Sequence, residues 1–190
     1  MKIKSFILVT VFSASSLITF AQKGEVASAK SNYEQFIGLK DANSLLLAIP
    51  NLKSAKTSID KAVVHAKTIA DPRAWTYKAL IYGEMALLDT VPATSKPLIE
   101  EAKVAHKKAI ELDKAGENKA NLDNANATLF SQYELNQGVK AYQTNKFADA
   151  YSSFSNALAF RPGDTTITYY AGLSAINAKN YKGGIKNYES

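Results

Sequence analysis

The chain has 190 residues, 46% hydrophobic and 21% charged, a balance that excludes a disordered or low-complexity polymer. Its net charge of +6 is spread along the chain with no block of five like charges, so no nucleic-acid partner is expected. No cysteine is present, which removes disulfides and thiolate metal sites and leaves packing alone to hold the fold.

At the start, Lys2 and Lys4 precede an apolar run from Phe6 to Phe20, with Thr19 and Ala21 at the small-residue places of a cleavage site. Residues 1–21 are expected to be a signal peptide cut between Ala21 and Gln22, leaving a mature chain 22–190 without stable membrane insertion. The run is shorter than the roughly 20 apolar residues of a spanning helix. With no cysteine to acylate, a lipoprotein anchor is excluded, and the chain is expected to be periplasmic or secreted. Loss of Lys2 and Lys4 lowers the net charge from +6 to +4.

The mature sequence reads as helical hairpins at about 25–70, 72–114, 118–162 and 165–190. In the first, Ala55, Ile59 and Ala62 form the contact face of the second helix. The second carries Trp75 and Tyr82 on its first helix and Ala102, His106 and Ala109 on its second. Between them, "LDTVPATSKP" reads as an enlarged loop in which Pro92 and Pro97 break helix. The third opens with a lengthened first helix, capped by Asn118 or Asn121, and reaches the "TNK" turn at 144–146. Its second helix sets Ala150, Phe154 and Ala157 on one face and is stopped by Pro162.

Moving forward 34 residues aligns Gly138 with Gly172, Ala141 with Ala175, Phe147 with Tyr181, Ala150 with Gly184 and Phe154 with Tyr188. That period, with its order of glycine, alanine, aromatic, alanine, aromatic, alanine and proline, resembles the tetratricopeptide repeat family. Residues 131–190 carry the resemblance most strongly, 72–114 well and 22–70 weakly; Lys114 stands where the family has proline. The resemblance implies an all-α fold, a right-handed superhelical solenoid of antiparallel helix hairpins. It also implies a non-catalytic scaffold that binds a protein or peptide. By register, Tyr82, Tyr181 and Tyr188 are core residues. Family ligands lie along the concave surface, which places Leu135, Val139, Tyr142, Gln143, Tyr169, Leu173, Ile176 and Asn177 in the groove. The lysine and asparagine or arginine by which some members grip a C-terminal carboxylate are missing from those places.

Catalytic and metal motifs are not found. His65 and His106 are the only histidines, and His106 sits at a packing place between two alanines. There is no HExxH, GxSxG or GxxxxGK[ST] pattern, so no enzyme, metal or cofactor is expected. The last hairpin stops about eight residues short of where a proline would end its helix. The sequence is therefore expected to be a fragment of a longer protein, or to pair its last helix with another chain. The alternative function is an accessory repeat domain of a longer envelope protein whose activity lies beyond Ser190.

Overall fold

The computed structural model describes residues 24–188, with side chains as far as Ile185. The expected signal peptide, its Ala21–Gln22 cut and the Tyr188 side chain lie outside the described residues. The described residues are helices joined by turns, with no strand among them. Helix α1 spans 24–41, α2 Leu45–Val64, α3 Pro72–Leu88 and α4 Pro92–Leu112. Then α5, Lys119–Asn124, passes through six residues of π-helix, Ala125–Phe130, into α6, Ser131–Gln143. The chain continues with α7, Phe147–Phe160, α8, Thr165–Asn177, and α9, Tyr181–Tyr188.

Contacts divide the chain into two compact units. One holds the described residues up to Tyr82 with Val104–Lys119; the other holds Gly83–Lys103 and the residues from Ala120 onward. In the first, Ala55, Ile59 and Ala62 of α2 are all fully buried, as their spacing predicts. Helix α2 is tied to α1 by the Ser58 and Ser28 hydroxyls at 3.2 Å and by Lys61–Glu25 at 3.1 Å. Tyr33 of α1 meets Tyr77 of α3 edge-on, 6.2 Å between centroids. The Trp75 indole donates to the Ile69 carbonyl at 2.7 Å, which fixes the turn before α3.

In the second unit α6 packs on α7, α7 on α8 and α8 on α9. Ala150, Phe154 and Ala157 are buried on α7. Burying a phenylalanine stabilises by about 2–3 kcal/mol, and here the small neighbours are what let a helix come close enough to do it. A Cβ on Gly138 would lie 2.6 Å from the Phe154 ring, so only glycine admits that ring against α6.

The 34-residue offset read from the residue types holds for the backbone as well. Shifted by it, α6 becomes α8 residue for residue, and the first residue of α7 becomes the first of α9. The turns share the bond that closes them. The Lys146 amide donates to the Ala141 carbonyl at 2.9 Å, and the Asn180 amide to the Ala175 carbonyl at 2.8 Å. Between these bonds Asn145 and Lys179 both take left-handed backbone. The α1–α2 turn uses the same cap, with Asn43 left-handed and Ser44 donating to Leu39.

Two expectations need correction. The stretch around Pro92 and Pro97 is not an enlarged loop: only residues 89–91 are outside helix, and α4 begins at Pro92 and runs through Pro97. Proline is tolerated at the first helical position because that amide has no helical acceptor in any case. Asp89 accepts from the Val91 amide at 2.9 Å just before it. Pro97, exposed in the second turn, forgoes one hydrogen bond without ending the helix. Pro50 stands at the same rank in α2. The surplus residues thus lengthen helices rather than a loop. Tyr181, expected in the core, is 62% exposed, because α9 turns its glycines to its neighbour: Gly184 sits against Ile176 and the Gly172 carbonyl.

Candidate functional site

Helix α6 presents Leu135, Val139 and Gln143 one turn apart along a stripe, with Gln132, Asn136 and Lys140 beside it. Across from them stand Thr166, Ile167 and Tyr170 at the start of α8, and Arg161 and Asp164 from the α7–α8 turn close one end. These residues enclose an open groove of about 730 Å³, within the size range of ligand-binding clefts.

The π-helix, the turn and the groove are mechanically joined. In the π-segment the Ser131 amide reaches back five residues to the Asn126 carbonyl. The neighbouring Ala127 carbonyl accepts from Arg161 Nη2 at 2.9 Å, while Arg161 Nη1 donates to Asp164 Oδ2 at 3.0 Å. Asp164 Oδ1 caps α8 by accepting from the Thr166 and Ile167 amides at 3.1 and 3.0 Å. The Ile167 amide first, then Arg161, hold the Asp164 carboxyl below the ordinary carboxylate range. Both oxygens of that carboxylate are therefore engaged within the fold.

Of the eight residues expected in the groove, Leu135, Val139 and Gln143 line it. Tyr142 is half-buried against the Phe154 cluster, edge-on to Phe147 at 5.2 Å, and its hydroxyl accepts from Asn177 Nδ2 at 3.1 Å. That bond ties two of the expected residues to each other instead of to a ligand. Tyr169 is exposed and lies against Tyr170, centroids 5.4 Å apart; Tyr170, not Tyr169, lines the groove. Leu173 is half-buried and Ile176 lies over Gly184, both outside the groove lining.

Arg161, Asp164 and Tyr170 escape the repeat-based reading because they come from the turn and from one place beyond the expected stripe. A signal for two of them was present. Arginine three residues before aspartate, ahead of "TTI", is a helix-capping arrangement. Tyr170 gave none; its ring is placed by stacking on Phe154 at 5.8 Å.

Elsewhere in this unit, Glu134 accepts from Lys103 Nζ at 2.9 Å and from Asn156 Nδ2 at 3.3 Å, a buried carboxylate satisfied on both sides. His106 is buried on α4 between two buried alanines, as its spacing predicts. Among the described residues no three His, Asp or Glu side chains gather as metal ligands, and no helix is long and apolar enough to cross a membrane. Compared with known families, curated proteins and solved structures, the chain matches none.

Proposed function

We propose that the chain is an exported, non-catalytic scaffold of tetratricopeptide type, which binds a protein or peptide partner in the groove between α6 and α8. The observation that carries this reading is the 34-residue equivalence of α6 with α8 and of the turns that follow them. Successive units of equal geometry stack into a superhelix, and the first helices then share one concave face. The groove found between two such helices, with exposed Val139 and Tyr170, supports the same reading. So does the basic and apolar start of the chain, which in this reading directs export.

Site-directed photo-crosslinking in the producing cells tests it. A photoreactive phenylalanine at Val139 should capture a discrete partner that the same probe at exposed Lys53 does not. Identical adducts from both positions, or none from Val139, would overturn the reading.

A further inference from the structure

The groove is electrostatically one-sided. Asp164 is the single carboxylate in its lining, and its two oxygens are already taken by Arg161 and the first amides of α8. That carboxylate in turn compensates Arg161 and caps the N-terminal end of α8, so neither leaves free charge on that wall. Across from it the Lys140 ammonium is exposed and has no ion-pair partner among the described residues. Beside this one uncompensated charge of the lining run the apolar surfaces of Leu135, Val139 and Tyr170.

We infer that the partner segment taken by this groove is an extended acidic peptide, in which a large aliphatic or aromatic side chain stands next to a carboxylate. This rests on the groove-binding reading above and names the chemistry of its ligand. From Leu135 to Gln143 the α6 stripe is about 12 Å long at 1.5 Å rise per residue. It accommodates about four residues of extended chain. The apolar side chain sits on Leu135 and Val139 against the Tyr170 ring, a rigid anchor of the type that dominates peptide interfaces. The adjacent carboxylate then faces Lys140, because no other cation in the lining is unpaired.

The test uses the full chain and fluorescent, end-blocked peptides of about eight residues with leucine and phenylalanine anchors, differing only in having glutamate, glutamine or lysine between them. The glutamate peptide should bind best, about fivefold more tightly than the glutamine peptide, with the difference disappearing at high salt. Lys140→Glu, at an exposed position that leaves folding intact, should reverse the order and favour the lysine peptide. Equal binding of all three peptides, abolished by Leu135→Ser, would sink the charge assignment while leaving the groove in place. Binding indifferent to both Leu135→Ser and Val139→Ser, or no binding by any peptide, would remove the acidic-peptide inference. If the Val139 crosslink were also silent, the groove reading would go with it.

Discussion

Lys179 repeats, 34 residues on, the left-handed backbone of Asn145: their φ angles are 60° and 58°. Asparagine tolerates that conformation; a lysine Cβ is crowded there, at a cost of about 1 kcal/mol. Lys179→Gly or Lys179→Asn should therefore stabilise the chain by about 0.5–1 kcal/mol, read as a higher urea midpoint with unchanged slope. Asn145→Lys should do the reverse. A destabilised Lys179→Asn would show that the side chain has a role the turn geometry does not reveal.

Gly138 of α6 lies directly against the Phe154 ring of α7. Gly138→Ala should cost about 1–3 kcal/mol, because the ring it would strike is itself fully buried and has nowhere to move. Gly38→Ala in α1 is the control: open space surrounds it, and the same change there should stabilise by about 0.5–1 kcal/mol. Equal effects of the two, measured by thermal unfolding, would refute the packing argument.

Arg161 holds two acceptors at once, Asp164 and the Ala127 carbonyl. Arg161→Ala should destabilise by about 1–3 kcal/mol, and Arg161→Lys should restore little, since one ammonium cannot span both acceptors. Asp164 has a lowered folded-state pKa, so its share of the stability is present at neutral pH and lost as pH falls through the carboxylate range. The acid limb of the stability profile should flatten in Asp164→Asn. An unchanged acid limb would discount the clasp.

At the alkaline end the relevant group is in the first unit. Tyr82 donates to Asp60 at 2.6 Å, and Lys56 lies over its ring at 4.8 Å and pairs with the same carboxylate. Burial first, then the bond to Asp60, pushes the Tyr82 phenol up to about 12. Burial alone would lower Lys56, but the bonds to Asp60 and Tyr82 outweigh it and raise it to about 12. Both groups hold their protons more tightly folded than unfolded. Their stabilisation is thus complete below about pH 10 and disappears as pH rises through about 12. Absorbance of tyrosinate should show one phenol ionising only with unfolding, and Tyr82→Phe should soften the alkaline transition. A phenol count that is complete before unfolding begins would contradict the network.

The repeat was legible because it is written twice, in residue type and in spacing. Glycine, alanine and aromatic positions are dictated by how near two helices must come, and Ala150, Phe154 and Ala157 are buried where that logic puts them. The turn at 144–146 was legible for the same reason. Pro97 was not, since a proline early in a helix and a proline in a loop present the same letter; the difference lies in whether a neighbouring acceptor is left stranded. The groove was half legible. Leu135, Val139 and Gln143 follow from register, whereas Tyr170 owes its place to stacking on a ring sixteen residues earlier. Tyr142 and Asn177 were assigned to a ligand because two polar side chains on facing helices look available until they are seen to satisfy each other.

The short π-helix ahead of α6 has an effect felt well beyond its own six residues. It consumes one residue more than an α-helix would over the same advance, and each residue is worth about 100° of rotation. Were that surplus absent, every later position would be occupied by the preceding residue. Glu134 and Gly138 would stand where Leu135 and Val139 now do, and Phe154 would confront Gln137 in place of Gly138. The character of the cleft and the admission of the ring are both settled upstream, by how many residues the chain spends before reaching them.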